Sequence, residues 1–140
     1  MRRVLILVIG IALFSEFISM VSAQPLGQVV QADPILLAEF NAFRTRVSKC
    51  MTAPPGIEAS STLHVTLRVL FKPDGTLTSD PHVDIVEGEP ITLGPALAES
   101  ARKALMQCQP FTMLKLEHYK EWKDLKIDFN AREMFGRRPN

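Results

Sequence analysis

The feature that most constrains the fold is a strictly alternating segment near the middle of the chain. Leu63, Val65, Leu67, Val69 and Phe71 occupy every second position. Side chains of a strand point alternately to its two faces, so residues 62–71 are predicted to form a β-strand with one apolar face. A strand that is covered on one face only is typical of an antiparallel sheet. The core is therefore expected on one side of this strand.

A turn and a return strand follow directly. Residues 72–75, Lys-Pro-Asp-Gly, combine a proline that presets φ with a glycine that accepts a positive φ. We expect the return strand to direct Pro81, Val83 and Ile85 towards the core. Because Pro81 has no amide hydrogen for a ladder, this strand is predicted to begin there or to lie at a sheet edge.

Two helices and a third strand flank this hairpin. Asp33 and Pro34 suit the N-cap and first position of a helix. Its apolar face, at helical spacing, is Leu36, Phe40, Phe43, Val47 and Cys50. The second helix is predicted between Gly94 and Pro110. Its apolar face is Leu97, Ala101, Ala104 or Leu105, and Cys108. Residues 123–129 alternate again, and their inward residues are Leu125, Ile127 and Phe129.

The predicted order is helix, strand, strand, helix, strand. A right-handed crossover would place the third strand beside the first and parallel to the second. The sequence therefore predicts an α+β fold, with a three-stranded antiparallel or mixed sheet and two helices packed on one face.

The start of the chain resembles a secretory leader. Arg2 and Arg3 precede an apolar run over residues 4–14. Small residues suited to a cleavage site follow and end at Ala23. We expect a signal peptide over 1–23, a flexible tail over 24–32, a domain over 33–136 and a short tail over 137–140. The alternative is an uncleaved membrane anchor over 4–23, in which Glu16 would cost roughly 2.5 kcal/mol. Export would place the protein in the periplasm.

The balance of charge argues against nucleic acid as a partner. Removal of Arg2, Arg3 and Glu16 from 16 basic and 15 acidic residues leaves equal numbers of each. A neutral chain lacks the basic surface that nucleic acid requires, and no polybasic cluster would hold it on an anionic membrane. Contact with a membrane is expected only through an uncleaved leader.

Cys50 and Cys108 are the two cysteines of the chain. An even number of cysteines in an exported protein favours a disulfide. Two buried free thiols, or a redox or metal pair, are the alternatives. Neither cysteine lies in a Cys-x-x-Cys motif, and no histidine has ligand spacing from either.

No set of residues predicts catalysis, a metal site or a cofactor. Asp80, His82 and Asp84 would share one face of the return strand and could bind a metal or exchange protons. We interpret them as a solvated face. His64 and His118 are isolated in the sequence. A nucleophile elbow and a Gly-rich phosphate loop are both absent. The protein is not expected to be an enzyme.

The aromatic residues after the second helix suggest a binding surface. Phe111 and Tyr119 are interpreted as a lid over the core, whereas Trp122 alternates outward from the third strand and is expected to be exposed. An unpaired strand edge offers backbone groups to another chain. The predicted partner-binding edge is Trp122, Lys123, Asp124, Lys126 and Asp128. The alternative is that residues 132–140 fold back over this edge.

Several segments in order resemble a known family. They are Val-Leu-Phe-Lys-Pro-Asp-Gly at 69–75, Cys-Gln-Pro-Phe at 108–111, Tyr119 with Trp-Lys-Asp-Leu at 122–125, and Asp-Phe-Asn at 128–130 followed by Met134 and Phe135. Over roughly residues 40–136 the chain resembles the C-terminal periplasmic domain of the TolA/TonB superfamily. Within that superfamily it resembles the TolA domain more than the TonB domain. Residues 114–116, Leu-Lys-Leu, depart from the prolines that related sequences tend to have there.

The resemblance implies a protein-binding role without catalysis. Members of that superfamily engage partner proteins across the periplasm, partly by adding a strand to a sheet edge. We therefore expect a periplasmic protein-binding module for cell-envelope integrity or envelope transport. Its partners would be periplasmic or outer-membrane proteins of a Tol-Pal or TonB-type system. The alternatives are an anchored, truncated energy-transducer component and a small secreted enzyme or enzyme inhibitor.

Overall fold

An antiparallel three-stranded sheet organises residues 33–136, the part of the chain that the computed structural model describes. The elements in order are α1 (Pro34–Cys50), β1 (His64–Leu70), β2 (His82–Glu87), α2 (Gly94–Cys108), α3 (Tyr119–Trp122), β3 (Asp124–Asn130) and α4 (Ala131–Phe135). The α+β class and the order of the main elements are as predicted. The short helices α3 and α4 were not predicted. The residues predicted to form a signal peptide (1–23) and two tails (24–32 and 137–140) lie outside the described residues.

The central strand is β1, which pairs antiparallel with β2 on one side and with β3 on the other. β3 therefore runs parallel to β2 and lies beside β1, as the crossover argument predicts. The alternating residues of the β1 segment are all buried. They are Leu63, Val65, Leu67, Val69 and Phe71. The apolar face of β1 is the floor of the core.

The two long helices cover this core. The Oδ1 of Asp33 accepts a hydrogen bond from the Ile35 N–H at 2.9 Å, so Asp33 caps α1 as its sequence position predicts. Helix α2 buries Leu97, Ala101, Ala104, Leu105 and Cys108. None of the helices within residues 33–136 is both long enough and apolar enough to cross a membrane.

A disulfide joins the last residues of the two helices. Cys50 ends α1 and Cys108 ends α2, with their Cα atoms 6.2 Å apart. This separation lies within the usual range for a disulfide. The predicted pairing is confirmed, and no free cysteine is found within residues 33–136.

The turn after β1 requires its glycine. Gly75 has a φ of 80°, and a Cβ there would lie 2.7 Å from the carbonyl oxygen of Phe111. The Phe111 N–H donates to the Gly75 carbonyl at 2.9 Å. The turn therefore holds the segment after α2 against the end of the hairpin.

A β-bulge changes which side of β2 faces the core. Thr66 pairs with Ile85, but Leu67 pairs with Val83, so Asp84 is an extra residue on β2. The extra residue reverses the alternation that follows it. Ile85 is 43% exposed, and the prediction that it faces the core is wrong.

Candidate functional site

One edge of the sheet is open along β3. Within residues 33–136, β3 pairs with β1 and with no other strand. Phe71 donates its N–H to the Lys123 carbonyl, and Ala131 donates its N–H to the Leu63 carbonyl, at 2.9 Å each. Hydrogen-bonded pairs alternate along an antiparallel ladder. The odd-numbered residues of β3 therefore bond to β1, and the even-numbered ones present their backbone groups to the free edge.

Three of the predicted edge residues have this outward orientation. Asp124, Lys126 and Asp128 are the even-numbered residues named in the prediction, and the register turns their N–H and C=O groups away from β1. Such groups are a template for a further strand. The described part of α4 follows β3 directly and adds no strand to this edge.

The side chains at this edge differ in how well their charges are paired. Asp124 accepts two hydrogen bonds from Arg68, at 2.9 and 2.6 Å, and this guanidinium lowers the pKa of the Asp124 carboxyl. Lys126 lies 3.0 Å from Asp84. Asp128 accepts a hydrogen bond from the Thr66 hydroxyl at 3.4 Å. Of the two carboxylates at this edge, Asp128 therefore has a weaker polar contact than Asp124.

A groove runs between α1 and the β3 edge. Its apolar surface is formed by Phe40, Phe43, Leu125 and Ile127. Beside it, Arg44 of α1 lies 3.2 Å from Glu133 of α4. Side chains of a strand alternate between its faces. A strand added to β3 would therefore place every second side chain over this groove.

The prediction that Trp122 is exposed is wrong. Its side chain is fully buried, and the indole Nε1–H donates to the Lys115 carbonyl at 2.7 Å. The ring contacts Phe71 and Tyr119 edge-on. The physical reason is that Trp122 belongs to α3, so the alternation of β3, which begins at Asp124, does not extend back to it.

Lys123 also contributes no free backbone group to the edge. Its carbonyl accepts from the Phe71 N–H, and its own N–H donates to the Tyr119 carbonyl at 2.9 Å. Of the predicted set, Asp124, Lys126 and Asp128 therefore turn their backbone groups to the free edge, and Trp122 and Lys123 do not.

The other aromatic residues form part of the core. Phe111 is fully buried, with its ring 4.8 Å from that of Phe43 and 5.9 Å from that of Phe71. The Tyr119 hydroxyl donates to the Phe71 carbonyl at 2.9 Å. This arrangement agrees with the interpretation of Phe111 and Tyr119 as a lid.

Asp80, His82 and Asp84 do not assemble a site. Asp84 is the bulge residue and pairs with Lys126, while Asp80 and His82 are exposed. Within residues 33–136 they are not among the groups whose ligand atoms converge closely enough to hold a metal ion.

A buried carboxylate on α1 was missed by sequence reasoning. Glu39 is only 4% exposed, and its Oε1 lies 2.8 Å from the Nδ1 of His118. Its Oε2 accepts from the Lys115 N–H at 3.2 Å. The sequence feature that could have predicted its burial is its position. Glu39 lies three residues after Leu36 and four before Phe43, on the apolar face of α1. Its partner is 79 residues away in the chain.

The pair with Glu39 changes the acid–base behaviour of His118. The hydrogen bond to the Glu39 carboxylate raises the pKa of His118 above its ordinary value of 6.5, and the charges of Glu39, Glu117 and Asp33 act in the same direction. A pKa that is higher in the folded state means that protonation of His118 favours folding.

We expect this pair to make stability depend on pH. The contribution of His118 is fully present below about pH 6.5, its unfolded pKa, and is lost as the pH rises through the higher folded pKa. In urea unfolding with EDTA present, the advantage of the wild type over His118→Gln should be largest near pH 6 and smaller near pH 9. Parallel stability–pH curves for the two proteins would contradict the assignment.

These features define a small, disulfide-bonded α+β domain with an open strand edge beside an apolar groove. The chain belongs to the family described as "Uncharacterised conserved protein UCP034077", whose model matches residues 33–116. The matched residues include α1, β1, β2 and α2. No curated protein matches the chain.

Proposed function

We propose that this protein is a periplasmic protein-binding module that captures a partner by adding one of the partner's strands to β3. The observation that carries the proposal is the outward orientation of the backbone groups of Asp124, Lys126 and Asp128. Recognition of this kind takes affinity from main-chain hydrogen bonds and specificity from alternate side chains. The resemblance to the TolA C-terminal domain leads to the same mode of binding.

The groove supports a particular kind of partner segment. Phe40, Phe43, Leu125 and Ile127 offer apolar contacts to the side chains on one face of an incoming strand. On the other face, Asp128 offers a carboxylate whose contact with Thr66 is long. A suitable segment is therefore amphipathic, with apolar residues towards α1 and a basic residue opposite Asp128.

The disulfide supports the compartment in this proposal. A disulfide between Cys50 and Cys108 persists in an oxidising environment, such as the bacterial periplasm. A role in cell-envelope integrity or envelope transport follows from the resemblance and from this compartment. A membrane-anchored form would use the same edge.

We expect Asp128→Pro to abolish partner capture and leave the domain folded. Proline removes the backbone N–H. Because the N–H of Asp128 points to the free edge, the substitution removes no hydrogen bond between β3 and β1. The measurement is photo-crosslinking from a reactive residue at position 126 in envelope extracts, followed by identification of the captured protein.

Asp128→Ala is the matched control, because it removes the same side chain and keeps the N–H. Strand addition predicts that capture persists in Asp128→Ala and is lost in Asp128→Pro, with similar thermal unfolding of both variants. Equal capture by the two variants would rule out main-chain pairing at this edge.

A further inference from the structure

Three potential metal ligands meet beside the N-terminal half of α1. Glu39 of α1 and the neighbouring residues Glu117 and His118 each offer one ligand atom, and these atoms all lie within 4.8 Å of one another. Glu117 and His118 belong to one 3₁₀ turn, Leu116–His118, which precedes α3. The three side chains therefore come from two segments that are distant in sequence.

The surroundings hold Glu39 in place. Its Oε2 is fixed by the Lys115 N–H at 3.2 Å, and the Lys115 carbonyl accepts from the Trp122 indole at 2.7 Å. Trp122 is fully buried. The carboxylate is thus oriented by backbone groups that the core immobilises, as the ligands of metal sites commonly are.

Three carboxylates act on His118, those of Glu39, Glu117 and Asp33. A single imidazolium neutralises only one of them. A divalent cation at this point would contact both the buried carboxylate of Glu39 and the exposed carboxylate of Glu117.

The ligand set also indicates which cation fits. Ca²⁺ and Mg²⁺ prefer oxygen ligands in larger number, whereas Zn²⁺ is commonly bound by imidazole nitrogen and carboxylate oxygen in tetrahedral geometry. The site is open to solvent, because the His118 side chain is 19% exposed and Glu117 is exposed.

We propose that Glu39, Glu117 and His118 bind one Zn²⁺ ion, through a carboxylate oxygen of each glutamate and the Nδ1 of His118, with water as the fourth ligand. The ion replaces the proton that lies between His118 and Glu39. Their ligand atoms are 2.8 Å apart. Ligands of a tetrahedral zinc ion with bonds of about 2.0–2.1 Å lie about 3.3 Å from each other. Glu39 and His118 therefore separate by about half an ångström when the metal binds, and the exposed Glu117 side chain, within 4.8 Å, moves to complete the site.

The test is a titration of the purified, chelator-treated protein with ZnCl₂ by calorimetry and with Co²⁺ by visible absorption. We expect one site, with the absorption bands of tetrahedral Co²⁺. Both His118→Gln and Glu117→Gln should weaken Zn²⁺ binding at least about 100-fold, because removal of an outer hydrogen-bond partner alone costs 10–100-fold. His82→Gln, which changes an exposed histidine near two aspartates, should leave binding unchanged.

Glu117→Gln keeps the test valid if His118→Gln fails to fold, because Glu117 is exposed and its replacement removes no core packing. Native circular dichroism of each variant establishes that it is folded. Zn²⁺ binding of equal strength in wild type and folded Glu117→Gln would overturn the proposal. The absence of a Zn²⁺ site in the wild type, or equally strong binding of Ca²⁺, would also overturn it.

Discussion

Replacement of Trp122 by alanine is expected to destabilise the domain by about 3–5 kcal/mol, the usual cost of deleting a large buried aromatic side chain. The indole is fully buried, and its ring centroid lies 4.7 Å from that of Tyr119 and 6.2 Å from that of Phe71. The substitution also removes the donor to the Lys115 carbonyl. Urea unfolding followed by far-ultraviolet circular dichroism measures the loss, since the chain has a single tryptophan and the variant lacks its fluorescence.

Two further variants separate the contributions to this effect. Trp122→Phe keeps an aromatic ring but leaves the Lys115 carbonyl without the indole donor, so it should fall between wild type and Trp122→Ala. Leu116→Ala is the surface control. Leu116 is 65% exposed, and its replacement should change stability by about 0.5 kcal/mol or less. A loss below about 1 kcal/mol for Trp122→Ala would contradict the burial of this side chain.

Removal of the disulfide is the second large effect. Cys50→Ala should lower the free energy of unfolding by about 2–5 kcal/mol, chiefly because the unfolded chain is no longer closed into a loop. Cys50 is the better residue to change, since it is half-buried whereas Cys108 is fully buried and can remain as a small apolar side chain.

A reducing agent provides the matched control for this variant. Reduced wild type should unfold at the same urea concentration as Cys50→Ala, and the variant itself should not respond to the reducing agent. Two titratable thiols in the native wild-type protein, or an unfolding midpoint that is unaffected by reduction, would show that the bridge does not form.

The sequence predicts those parts of the fold that depend on local periodicity. The alternation of β1 and the helical spacing of α1 and α2 each identify a buried face. All the residues predicted to face inward from the β1 segment are buried, as are Phe43 and Val47 of α1. The pairing of Cys50 and Cys108 could be predicted because both lie on the apolar faces of helices, near the helix ends. Those inferences need no knowledge of distant contacts.

The errors arise where one residue changes the phase of a pattern. The bulge at Asp84 reverses the alternation of β2, so Ile85 points away from the core. Trp122 lies where the period changes from that of α3 to that of β3. In both places, extending the pattern by one more step assigns a side chain to the wrong face.

The candidate sites could be predicted only in part. Asp124, Lys126 and Asp128 were identified because an edge strand has an open side whatever its sequence. The pair of Glu39 and His118 was not, because residues 79 positions apart share no local pattern. Only the charge of Glu39 on an apolar helix face hinted at a buried partner.

The position of the disulfide determines how the domain would respond to mechanical tension. The covalent loop closed by Cys50 and Cys108 contains β1, β2 and all of α2, and its 58-residue separation corresponds to about 200 Å of extended chain that cannot be pulled out. β3 lies outside this loop and is held to β1 by hydrogen bonds. A load applied through a strand bound to β3 would therefore be resisted first by the β1–β3 ladder, while the interior of the loop keeps its length.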